Sequence, residues 1–105
     1  MDAKLKDELH SAFDYAMSQI DFKKIEAVMH LTGWTWCGEV DYVTERMLKA
    51  TTFDLFECCL DLPEYLMLRQ SSIGGMCVSI IKWSDESTEV QISFKMESFS
   101  ATVGL

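Results

Sequence analysis

The pattern that most limits the fold lies near the C-terminus, where Val90, Ile92, Phe94 and Met96 alternate with Glu89, Gln91, Ser93 and Lys95. Side chains of an extended chain point alternately to opposite faces, so a strict period of two predicts a strand with one apolar and one polar face over residues 88–96. A second apolar run, residues 76–83, precedes it across the polar turn Ser84, Asp85, Glu86 and Ser87. Together they predict a β-hairpin.

A four-residue loop would pair Trp83 with Thr88, Ile81 with Val90, Ser79 with Ile92 and Cys77 with Phe94, and these pairs are expected to form the core face. The opposite face would pair Lys82 with Glu89, a favourable match, and would also carry Met76, Val78 and Ile80. Three apolar residues on that face need cover. It can come from a helix of the same chain, which is the favoured reading, or from a second subunit in a homo-oligomer.

The first half has helical periodicity. Leu5, Leu9, Ala12, Phe13, Ala16, Met17 and Ile20 recur every three or four residues, with charged and polar residues between them. Asp21 suits the N-cap of a second helix, residues 22–31, with the stripe Phe22, Ile25, Val28 and Met29, and Gly33 marks its end. The two can also join as one bent helix. Trp34 and Trp36 would share one side of an extended segment, followed by a loop to Val43. Thr44 caps a third helix with the stripe Met47, Leu48, Thr51, Leu55, Cys58, Cys59 and Leu62, ended by Pro63. Residues 65–69 read as a short strand or a continuation of the helical region, and residues 71–75, Ser-Ser-Ile-Gly-Gly, as a turn or bulge. The expected fold is a single α+β domain spanning residues 1–105, with two to three N-terminal helices packed on a small antiparallel C-terminal sheet.

A formal charge of −8 is spread over both halves, with no basic patch. Nucleic acids and anionic membranes are bound largely through Lys and Arg, so both are disfavoured as direct partners. The N-terminus lacks the continuous apolar core of a signal peptide and no segment reaches transmembrane length, which predicts a cytoplasmic protein. Cys37, Cys58, Cys59 and Cys77 have no C-x-x-C spacing and suit neither zinc nor a disulfide framework; they read as reduced, mostly buried small hydrophobes.

Candidates for chemistry are few. His10 and His30 sit on helices without a partner signature and read as surface residues, and no nucleophile with its base, metal set or phosphate loop is visible, so neither an enzyme nor a cofactor is expected. Asp54, Glu57, Asp61 and Glu64 are spaced along one side of the third helix, either as a solvated face or as a negative strip that docks on a basic partner. Trp34 and Trp36 serve the core or an interface, or stack on a base with help from Arg46 or Arg69, the chain's two arginines.

The run Asp21-Phe22-Lys23-Lys24-Ile25 through Gly33-Trp34-Thr35-Trp36, the helix capped at Thr44, and Ser72-Ile73-Gly74-Gly75 before paired strands resemble a group of small uncharacterised bacteriophage proteins. The resemblance covers roughly residues 20–97. It implies a phage-encoded accessory protein acting inside a bacterial cell, against a host defence. The expected function is therefore a small acidic protein that binds and inhibits or modulates a host protein, through Asp54, Glu57 and Asp61, through the exposed part of Met76, Val78 and Ile80, or through Trp34 and Trp36. The alternative is a sponge for a small cyclic-nucleotide signal, with stacking from Trp34 or Trp36 and charge from Arg46 or Arg69.

Overall fold

The structure, a computed structural model, describes residues 2–32, 43–95 and 97–103. Three helices, α1 (Ala3–Ser18), α2 (Phe22–Thr32) and α3 (Glu45–Leu60), precede four strands, β1 (Leu68–Ile73), β2 (Met76–Lys82), β3 (Thr88–Phe94) and β4 (Glu97–Val103). The strands form one antiparallel sheet in the order β1-β2-β3-β4. This is an α+β fold, three helices against a C-terminal sheet.

Each helix begins where a side-chain oxygen accepts an otherwise unpaired N–H. Asp2 accepts from Lys4 N at 3.1 Å, Asp21 from Lys24 N at 3.2 Å and Thr44 from Met47 N at 3.2 Å. The cap at Asp21 makes α1 and α2 separate helices rather than one bent one. α3 stops at Asp61, two residues before the N–H-less Pro63.

The register between β2 and β3 differs by one residue from the sequence expectation. Ile80 pairs with Val90, Val78 with Ile92 and Cys77 with Ser93, so Trp83–Thr88, Ile81–Val90, Ser79–Ile92 and Cys77–Phe94 are not pairs. The cause is the turn. Trp83 N donates to Ser87 O and Glu86 N to Trp83 O, so the loop holds five residues, with Glu86 in the left-handed region at φ 69°. The Ser87 hydroxyl and N–H donate to Asp85 Oδ1 at 2.6 and 3.0 Å and hold that carboxyl below the usual carboxylate range.

A one-residue slip exchanges the two faces of a strand. Met76, Val78 and Ile80 therefore lie on the same face as Val90, Ile92 and Phe94, and all six are buried. Helices of the same chain provide the cover: α1 packs over β3 and β4, α3 over β1 and β2. The Phe13 and Phe56 rings stack between these helices at 4.2 Å and 8°, and Phe22 at the start of α2 meets Phe94 edge-on at 6.0 Å. The other face of the sheet is polar, with Gln70 Nε2 donating to Cys77 Sγ at 2.9 Å and Cys77 Sγ 3.7 Å from Ser79 Oγ.

Three further expectations are corrected. Ser71 and Ser72 are strand residues, and the turn is confined to Gly74 and Gly75, with Ile73 paired to Met76. A positive φ of 60° at Gly74 suits the first central residue of a type II′ hairpin turn. The strand after β3, β4, was not anticipated; β3 itself ends at Phe94, and Met96 lies outside the described residues. The buried face of α3 is Leu48, Thr52, Leu55, Phe56 and Cys59, which leaves Met47, Cys58 and Leu62 exposed. Thr52 can sit there because its hydroxyl donates to Leu48 O at 2.7 Å.

Because a non-glycine residue at φ 69° is disfavoured, Glu86→Gly is expected to raise stability by about 0.5–1 kcal/mol in urea denaturation. A loss of stability would contradict the turn geometry described.

Candidate functional site

The chain leaves α3 through Leu62, turns at Pro63 with Leu66 N donating to Pro63 O, and joins the sheet when Lys82 N donates to Met67 O at 2.8 Å. This crossing is too short to fold its apolar side chains under either layer. Tyr65, Leu66, Met67 and Leu68 are consequently exposed, Tyr65 by 82% and Met67 by 56%. Leu68 pairs with Ile81 on the outer face of the sheet, and Trp83, two residues further along, is 49% exposed. Asp61, Glu64, Asp85 and Glu86 are exposed around this corner, with Lys82 among them. A contiguous apolar patch with a polar rim is the usual composition of a protein-binding surface.

Arg69 alternates with Leu68 and turns the other way, beneath α3. It is only 5% exposed, and among the described residues its Nε and Nη1 have no hydrogen-bond partner. Burial pulls its pKa down, while the Glu64 carboxylate and then Cys59 act in the opposite direction. The Cys59 thiol donates to Val78 O at 3.2 Å; burial pushes it up to about 11, with Cys77 adding to the effect.

The residues singled out from sequence do not converge. Met76, Val78 and Ile80 are core, at 1% exposure or less, and offer no surface. Asp54 and Asp61 are exposed on α3, but half-buried Glu57 faces α1, its Oε1 3.7 Å from His10 Nε2. His10 is thus paired, and its ring lies edge-on to Phe56 at 5.1 Å. His30 Nε2 lies 3.1 Å from Val43 O. His30 is exposed, as the sequence leads one to expect, whereas His10 is half-buried.

Arg46 is exposed beside a cleft of about 430 Å³ lined by Glu26, Thr44, Glu45, Arg46 and Lys49. The N-terminus of α3 opens there, but Glu26 Oε2 already accepts from Glu45 N at 2.7 Å and Lys49 pairs with Glu45 at 3.0 Å. Trp34 and Trp36 lie outside the described residues. Among the described residues no group of three or more His, Cys, Asp or Glu is placed to hold a metal ion, and no helix is long and apolar enough to cross a membrane.

The apolar corner was missed from sequence. Its signal was the run Tyr65-Leu66-Met67-Leu68, separated from Pro63 only by Glu64, four apolar residues too close to a breaker to belong to a helical stripe. Comparison with protein-family models, curated proteins and solved structures finds no match to this chain.

Burying two guanidinium nitrogens, Nε and Nη1, without acceptors is costly, and an apolar side chain of similar length removes that cost. Arg69→Met is therefore expected to keep or raise stability, by up to about 1 kcal/mol, whereas Arg69→Ala, which also opens a cavity, lowers it by about 2 kcal/mol. Equal losses for both in urea denaturation would show that the guanidinium is satisfied.

Proposed function

We propose that this chain is a non-enzymatic binding protein that inhibits or modulates a protein partner through the exposed corner formed by Tyr65, Leu66, Met67, Leu68 and Trp83. The observation that carries this reading is the corner itself: large apolar side chains held open at the junction of α3 and the sheet, with acidic residues around them. Such a surface gains affinity from aromatic and aliphatic anchors and selectivity from its charged rim. The resemblance to small bacteriophage proteins, carried by the run from Asp21 to Trp36, the helix capped at Thr44 and Ser72-Ile73-Gly74-Gly75 before paired strands, supports a partner in the host cytoplasm, a defence component in particular.

The corner replaces the binding residues expected from sequence. Cover of Met76, Val78 and Ile80 by a helix of the same chain, the favoured expectation, is what α3 provides, so the alternative cover by a second subunit gives no reason for a homo-oligomer. A nucleotide sponge built on Arg46 has less support. In the cleft beside Arg46, Lys49 is paired with Glu45, and an anion at the α3 terminus would compete with the Glu26 carboxylate.

The test is affinity capture from host lysate with three baits: the natural chain, Leu68→Lys, and Asp14→Asn on the far, exposed side of α1. A partner retained by the natural chain and by Asp14→Asn is expected to fall more than about tenfold with Leu68→Lys, the scale of losing an interface anchor. Equal retention by all three baits would remove the corner as the binding surface. A thermal shift with a cyclic nucleotide would favour the sponge instead.

A further inference from the structure

The register of β1 places one set of its backbone groups toward open solvent. In an antiparallel ladder, alternate residues exchange both hydrogen bonds with the neighbour, and the others point their N–H and C=O away from it. Met67 O accepts from Lys82 N, and the tight turn pairs Ile73 with Met76, so residues 67, 69, 71 and 73 bond to β2. The N–H and C=O groups of Leu68, Gln70 and Ser72 therefore point outward, and all three residues are exposed. Among the described residues β1 is an edge strand of the sheet, with no strand paired to its outer side. Within Leu68–Ile73 it carries no proline, no lysine and no bulge to blunt it, and its one charge, Arg69, is turned beneath α3.

The two sides of this edge differ in chemistry. On the outer side Leu68 sits beside Ile81, with Trp83 on the same face. On the helix side the Glu64 carboxylate is close enough to raise the Arg69 pKa against the effect of burial, and Asp61 caps α3. The charged groups at this end are Asp61, Glu64, Asp85, Glu86 and Glu89 against Arg69 and Lys82, an excess of three negative charges within a chain of net −8. We infer that β1 is a docking edge for an extended protein segment that alternates apolar and basic side chains, added to the sheet as a fifth strand with its apolar set against Leu68 and its basic set toward Asp61 and Glu64. Main-chain hydrogen bonds supply affinity in this mode, and alternate side chains supply selectivity.

A second copy of the chain fits the edge less well. Pairing of two β1 strands brings together two chains of −8 and sets no exposed basic side chain against Asp61 and Glu64.

This inference rests on the binding reading given above, and its test separates the two. The full chain, labelled with ¹⁵N, is titrated with an eight-residue peptide alternating lysine and valine, and with a control alternating glutamate and valine. The lysine peptide is expected to shift the corner resonances saturably and to slow exchange of the Leu68, Gln70 and Ser72 amides at least tenfold, with no effect from the glutamate peptide. Gln70→Pro, which removes one outward N–H, and Leu68→Lys, which keeps the backbone intact, are each expected to weaken binding at least tenfold. Shifts at Trp83 and Leu66 without slowed exchange of the three amides would overturn strand addition while leaving a binding corner. No shift anywhere in the corner would count against both. Slow exchange of these amides without peptide, together with a dimer in sedimentation, would assign the edge to a second copy.

Discussion

The fold depends on which of the two faces of β2 is buried. Met76, Val78 and Ile80 align with Val90, Ile92 and Phe94 to make a continuous apolar surface, and Leu9, Phe13, Leu48, Leu55, Phe56 and Cys59 of the helices close over it. Each fully buried aliphatic or aromatic side chain contributes about 1.5–3 kcal/mol, so this layer far outweighs any single polar contact in the molecule. The alternative alignment would turn Cys77 and Ser79 toward the helices and carry the apolar triad to the opposite face. Five loop residues with Glu86 at positive φ select the favourable parity, and the strain at Glu86 is small beside the burial it permits.

The same parity decides what remains outside. With one face closed by α1 and α3, the outer face can be polar, as Gln70, Cys77, Ser79, Gln91 and Ser93 make it. The exceptions gather at one end, where α3 hands the chain to β1. Pro63 prevents the helix from continuing, and the crossing residues arrive at the sheet without a layer to pack beneath. An exposed apolar corner beside an open strand edge is the result, and the acidic surface around it sets which partners approach.

Much of this architecture was legible in the sequence because period and caps are local signals. The α1 stripe from Leu9 to Ala16, the caps at Asp21 and Thr44, and the β2–β3 hairpin all follow from spacing alone. The hairpin register was not, because it turns on the backbone of a single turn residue, and both alignments place apolar residues opposite one another. On α3 the stripe could be drawn through Cys58 or through Phe56, since a helix with apolar residues on several sides does not declare its inner face until the sheet is in place. The candidate site was less legible still: Glu57 finds His10 only through the packing of α1 on α3, and β1 was hidden by serines and glycines that read as a turn.

The most direct test of the central claim is the set of close cross-strand Hα–Hα contacts between β2 and β3 in nuclear Overhauser spectra. Such contacts mark the pairs that do not exchange hydrogen bonds. The fold described here requires them between Ile80 and Val90 and between Val78 and Ile92. Contacts from Val90 to Ile81 and from Ile92 to Ser79 would contradict it, and would return Met76, Val78 and Ile80 to the outer face.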